Sequence, residues 1–293
     1  MDKNIIEIPD ITTHELISSY HDGLKEAVDF VQSKIIGILD GQINLSQQEE
    51  AVLGIFLRIH ALASSLVRLN QKIDFNAVAV IARTLFELLL DIKLISSPNI
   101  KQKELDRFFS FSEIDRFRKA RRIVDLQNKH PELVNNSLLD STKRKEFVEQ
   151  TGMKDSIELK VKSLWGRGKK GKLKWPNNWS GSTIKERAKA NGPVYEQEYL
   201  EIYSFLSSYA HGGSSAYSGF SKKALESVYG ISLEYSRKMY IESLLICSDF
   251  FNLKAGIESF FQVITFLENA PKEILTKYYL KKIENKKNEG GRC

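Results

Sequence analysis

Three groups of residues in this chain have the types and spacing to do chemistry. The first is Arg83, Glu87 and Asp91, set at i, i+4 and i+8 in an otherwise apolar run. On a helix these three share one face. An arginine beside a carboxylate can receive an anion, or hold that carboxylate through a bidentate pair. The same stripe also fits the wet face of an amphipathic helix, and the residues alone leave both readings open. The second group is Tyr203, Ser207 and His211, again at i, i+4 and i+8, with His211 running into Gly212 and Gly213. A helix C-terminus favours the charged imidazole. His211 is therefore either an acid/base or anion-binding group, or a side chain that caps carbonyls. Buried charges need partners, so the two stripes are expected to face each other across a helix–helix cleft. Arg83, Glu87, Tyr203, Ser207 and His211 are the candidate catalytic set.

The third group is basic and aromatic. Arg116, Arg118, Lys119, Arg121 and Arg122 crowd one stretch. Lys160, Lys162, Arg167, Lys169, Lys170, Lys172 and Lys174 crowd another, with Trp165, Trp175 and Trp179 between them. Cations and rings together suit a phosphate backbone with stacked bases. On this ground Arg118, Arg121, Arg122, Lys169, Lys170, Lys172, Trp175 and Trp179 are candidate nucleic-acid-binding residues. The competing reading is a solvated loop.

Other chemistry scores poorly. The sequence has no His-x-x-x-His, no Glu-x-x-His and no Cys/His cluster, so no metal is expected. It has no GxxxxGK[ST] loop and no G-x-S-x-G elbow. The glycines of Gly166-Arg-Gly168-Lys-Lys-Gly171 follow no predicted strand, so no phosphate loop and no cofactor are expected.

The elements that must position these residues are helices. Apolar positions recur every three or four residues over 14–39, 75–95, 101–129, 195–210 and from about Ser232 to Leu267. Ser46-Gln-Gln-Glu49 has the form of a capping box for a helix to about Leu69. Shorter helices are expected over 140–150 and 155–164, and Ser182 is expected to cap another to Ala190. Residues 165–181 are expected as loop, and Pro271 to open a last helix. No segment alternates as a strand does. The expectation is an all-α, multi-helix bundle with long amphipathic helices. It forms a single domain with its core in 10–128 and 193–268, a basic loop-rich insertion at about 130–192, and a charged C-terminal helix and tail at 270–293.

The 293 residues are 42% hydrophobic and 27% charged, which is an ordinary globular balance and excludes wholesale disorder. The net charge of +6 is compatible with a polyanionic partner. The two cysteines, Cys247 and Cys293, make no disulfide framework, and Cys247 reads as a core residue. The start, MDKNIIEIPD, lacks the pattern of a signal peptide. The apolar run 75–95 carries Arg83, Glu87, Asp91 and Lys93, a poor membrane span. A cytoplasmic location and no membrane partner are expected.

Three segments together carry a resemblance. Ala82-Arg83-Thr-Leu-Phe-Glu87 looks like the R-x-x-x-E helix of the DUF5677 domain family. Trp179-Ser-Gly181-Ser-Thr-Ile184 is similar to its W-S-G-x-S-I element, and Tyr199-x-x-x-Tyr203-x-x-Leu206-Ser207-x-x-x-His211-Gly to its Y-x-x-x-Y-x-x-L-S-x-x-x-H element. The resemblance covers about 75–220. It implies a helical, mainly bacterial protein without a settled activity, with Arg83, Glu87, Tyr203, Ser207 and His211 as the positions to watch. The pattern also resembles HEPN-type helical domains, some of which are metal-independent ribonucleases of defence or toxin systems. Those pair a histidine with an arginine a few residues before it. Here Ser204, Phe205 and Leu206 stand in that place, so Arg83 would have to supply the cation from another helix. The leading expectation is a HEPN-like protein acting on RNA in phage defence or a toxin-like system, as a metal-independent ribonuclease if it is an enzyme. The alternatives are a non-catalytic helical module that binds a protein partner or a second copy, and a small-molecule or nucleotide sensor using the same cleft.

Overall fold

The computed structural model describes residues 14–42, 44–133, 141–166, 173, 175–210 and 222–253. His211, Lys169, Lys170 and Lys172 lie outside the described residues, as does the expected helix from Pro271. Among the described residues the fold is all-α. Its helices are α1 (His14–Phe30), α2 (Ile36–Asp40), α3 (Gln47–Arg68), α4 (Phe75–Ile95), α5 (Gln102–Lys129), α6 (Ser141–Glu149), α7 (Met153–Trp165), α8 (Ile184–Ala190), α9 (Pro193–Glu198), α10 (Ser204–Ala210) and α11 (Lys222–Phe250). A π-helical turn, Val31–Ile35, joins α1 to α2, and another, Tyr199–Tyr203, joins α9 to α10.

The chain divides into two compact units, 1–96 with 187–293, and 97–186, so the division falls within α8. In the first unit α4 is central: α3, α10 and α11 all pack on it. Its sequence explains why. Val78, Ala82, Leu85, Phe86, Leu89 and Ile92 are all fully buried, and together they surround most of the helix. Helix α11 buries Leu233, Met239, Tyr240 and Leu244, with serines set among them. Ser232, Ser236 and Ser243 are fully buried, and each hydroxyl donates back to the carbonyl four residues earlier. This satisfies the hydroxyls without a partner helix. Helix α3 opens with the expected capping box: Ser46 accepts from the Glu49 amide at 3.3 Å, and Glu49 accepts from the Ser46 amide at 2.7 Å. Among the described residues α3 is the one helix long and apolar enough to cross a membrane. Its Val52, Ile55, Phe56, Ile59 and Leu66 are core residues here.

In the second unit α5 packs against α6 and α7. Ile114, Phe117, Ile157 and Val161 form its core, with Phe147, Trp165 and Trp175 against them.

Several expectations are corrected. Helix α11 begins at Lys222, ten residues before Ser232, because Val228 and Tyr229 are buried on its inner face and Gly230 does not break it. It ends at Phe250 rather than Leu267. Asn252 is left-handed at φ 52°, a conformation that stops a helix. The expected helix over 195–210 is present and carries the π turn within it. On α5, Ile123 is exposed and its neighbour Val124 is buried. The cap of α8 is Thr183, not Ser182: its hydroxyl accepts from the Glu186 amide, and Glu186 accepts from the Thr183 amide at 2.6 Å.

Candidate functional site

The polar stripe of α4 and the π turn meet inside the first unit. Arg83 and Glu87 are one helical turn apart, and the Arg83 Nε lies 3.3 Å from Glu87 Oε1. The Tyr203 hydroxyl stands between them. It donates to Glu87 Oε1 at 2.7 Å and accepts from Arg83 Nε at 3.0 Å. The Arg83 guanidinium also lies 5.2 Å from the Tyr203 ring centroid, a cation–π contact. Tyr203 is held by its ring, which stacks on Tyr199 at 5.2 Å and tilts against Phe86 at 5.6 Å.

The π turn sets this aim. A π turn adds one residue to the helix and shifts the register of the turns after it. It also draws Ser204 Oγ onto the Tyr199 carbonyl at 2.9 Å. Ser207 lies half-buried on α10.

The site is neither sealed nor open. The side chains of Arg83 and Glu87 are 24% and 32% exposed, whereas Tyr203 is buried. Burial raises the Tyr203 phenol above its ordinary range. The hydrogen bond to Glu87 adds to this, and Arg83 opposes it. The phenol is thus a neutral donor whose proton is committed to a carboxylate.

The third member of the stripe has a partner that the sequence reading missed. Asp91 is paired with Arg187 of α8, and their side chains are 14% and 5% exposed. Burial lowers the Arg187 guanidinium below its ordinary value, against the pull of Glu87 and Tyr203. Arg187 therefore belongs to the electrostatics of the Arg83 cluster. Its signal was its place three residues after Ile184, in the element that begins Trp179-Ser-Gly.

The candidate nucleic-acid residues of the second unit are placed differently. Trp175 stacks on Phe117 at 6.4 Å between centroids. Trp179 is 8% exposed, meets Phe108 edge-on, and accepts from Trp165 Nε1 through its carbonyl at 3.1 Å. Arg118 donates to the Pro176 carbonyl at 2.6 Å and to Asp115 at 2.7 Å. Arg121 faces Asp125 and Glu158, and Arg122 is exposed.

The Trp-Ser-Gly element is a built turn. Asn178 Oδ1 accepts from Ser180 Oγ and from the Gly181 amide at 2.8 Å. Gly181 is left-handed at φ 74°, and a Cβ there would sit 3.1 Å from Trp165 Cδ1. Glycine is needed on both counts.

Among the described residues no three His, Cys, Asp or Glu side chains are grouped to hold a metal. Comparison with curated proteins and with solved structures finds no match. A family model does match, over residues 49–226, and this span contains the polar stripe, the Trp-Ser-Gly turn and the π turn. The chain belongs to the DUF5677 family, described as a family of unknown function.

Proposed function

We propose that this protein is a HEPN-like, RNA-acting protein of a bacterial defence or toxin-like system, working in the cytoplasm with the Arg83 cluster as its phosphate-receiving site. The observation that supports this reading is the junction of one guanidinium, one phenol and one carboxylate, with the two charged side chains each less than one-third exposed. A guanidinium in such a place is partly desolvated. Its charge acts on a phosphate more strongly there than it would in open water. Glu87 and Tyr203 hold it in one orientation, so little reorganisation is needed when charge develops on the ligand. In this reading Arg83 stabilises phosphate charge. His211, named from the sequence, is the general acid or base, and Ser207 hydrogen-bonds the ligand or the histidine. The reaction is RNA cleavage without a metal.

A second reading is a non-catalytic helical interaction module. It is favoured by a specific observation: Arg118, Trp175 and Trp179 are spent on internal packing. One experiment separates the two. The full chain is incubated with a broad RNA pool without added metal, alongside Arg83→Ala and His211→Ala, and each protein is also melted. The proposal expects cleavage by the wild type and a loss of about 10²–10⁴-fold in rate for His211→Ala, with both variants folded. No cleavage by the wild type, together with a destabilised His211→Ala, supports the module.

A further inference from the structure

Four rings of the first unit stand in file. Tyr235 of α11 lies 5.9 Å from Phe86 of α4, Phe86 lies 5.6 Å from Tyr203, and Tyr203 lies 5.2 Å from Tyr199. The first three are 3%, 0% and 6% exposed, so the file begins in the core. Tyr199 ends it and is only half-buried. Its pair with Tyr203 is the closest to parallel of the three, at 21° between planes. Among the described residues Tyr203 is the one ring that touches Tyr199.

This last ring is held from both sides. The Tyr199 carbonyl accepts from Ser204 Oγ at 2.9 Å and from the Ser204 amide across the π turn. The ring beneath it, Tyr203, is fixed by its hydroxyl to Glu87 and Arg83. A ring fixed in advance loses little freedom when something stacks on it. The Arg83 guanidinium lies 5.2 Å from the Tyr203 centroid, the same separation as the Tyr199 ring. The cation and the last ring thus flank one residue, within the span of a single nucleotide.

We propose that Tyr199 is the base subsite of the Arg83 site: the phosphate-bearing ligand is a nucleotide, and its base extends the file by stacking on Tyr199. The proposal rests on the reading of Arg83 as a phosphate receiver and adds the group at the ligand's other end. Every base has a π face, so the subsite takes any of them. A purine covers more of the ring than a pyrimidine and binds more tightly. A bare sugar phosphate has nothing to stack.

The test is calorimetric titration of the full chain with AMP, CMP and ribose 5-phosphate, which share the phosphate and the pentose and differ in the base. AMP should bind about tenfold or more tightly than ribose 5-phosphate, the range of one stacked base, with CMP between them. Tyr199→Leu keeps apolar bulk and removes the ring. It should bring AMP to the level of ribose 5-phosphate and leave ribose 5-phosphate as it was, because Phe86 and Glu87 still hold Tyr203. Arg83→Gln should weaken all three. The wild-type series carries the test even if Tyr199→Leu fails to fold. AMP and ribose 5-phosphate binding alike would overturn the proposal and leave the phosphate site standing. An AMP advantage that persists in folded Tyr199→Leu would overturn it as well. If none of the three binds the wild type in the millimolar range, the Arg83 reading fails and the base subsite falls with it.

Discussion

Arg83 and Arg118 begin from the same local pattern, an arginine with a carboxylate one helical turn away, and end in different roles. Arg118 of the second unit reaches across to a backbone carbonyl at Pro176 and fastens a loop to α5. Arg83 of the first unit meets a phenol and a carboxylate, and the charged pair stays partly accessible. The aromatic residues divide in the same way. Trp175 and Trp179 fill space around Phe117 and Phe108. Tyr203 also packs by its ring, yet brings its hydroxyl to a charged pair. A basic, tryptophan-rich stretch is therefore not a binding surface by composition. Arg118, tied to a backbone carbonyl, builds the fold; Arg83, tied to a buried phenol and a partly accessible carboxylate, can make a site.

Removing a buried partner from each unit should have the largest effect. Arg187→Ala leaves Asp91 buried without its cation. It should cost about 3–5 kcal/mol in urea unfolding. A loss below about 1 kcal/mol would mean that Asp91 is solvated and the pair adds nothing. Trp179→Ala should cost about 3–5 kcal/mol by cavity formation and leave the RNA affinity of the folded fraction unchanged. A drop in that affinity with stability intact would turn Trp179 back into a stacking residue.

A smaller effect is expected from His60. It lies between Gln32 Oε1 at 3.1 Å and the Tyr240 hydroxyl at 2.7 Å. Gln32 Oε1 only accepts, so Nε2 carries the hydrogen and Nδ1 accepts from Tyr240. Burial lowers the His60 pKa below its ordinary 6.5. The folded state thus favours the neutral ring, and the unfolded chain takes up the proton first. Its contribution to stability is complete above 6.5, declines as pH falls through 6.5, and levels off below the folded value. Urea midpoints taken across this range should fall with acidification, and His60→Gln should flatten that part of the profile. An unchanged slope would show that His60 is solvated. The smallest effect is expected at Arg122, which is exposed. Arg122→Ala should leave stability within about 0.5 kcal/mol and lower the slope of RNA affinity against salt by about one if it touches a phosphate. An unchanged slope would remove Arg122 from the RNA interface.

Much of the fold was legible because it rests on local signals. The 75–95 helix is read from its apolar run, and α3 from Ser46 and Glu49. Long-range pairing was legible for Arg83, Glu87 and Tyr203, because both stripes had helical spacing and charges need partners. Arg187 escaped because its partner lies 96 residues away and its own helix is short. The packing of Trp175 and the burial of Trp179 escaped because basic neighbours disguised them as a surface. The division at 97 and 186 sets α5 with α6 and α7, whereas the expected core ran over 10–128 and included it. The π turn has no sequence signature of its own.

In the proposed reading the Arg83 cluster acts on RNA and is more than a brace between helices. Tyr203→Phe tests it most directly. The ring keeps its contacts with Tyr199 and Phe86, and the variant loses only the hydroxyl that joins Arg83 to Glu87. Melting and metal-free RNA cleavage are measured on the same preparations. The expected result is a stability loss of about 1 kcal/mol, the scale of one hydrogen bond, with cleavage slowed by about tenfold or more because the guanidinium is no longer held in place. Cleavage at the wild-type rate in a folded Tyr203→Phe would contradict it.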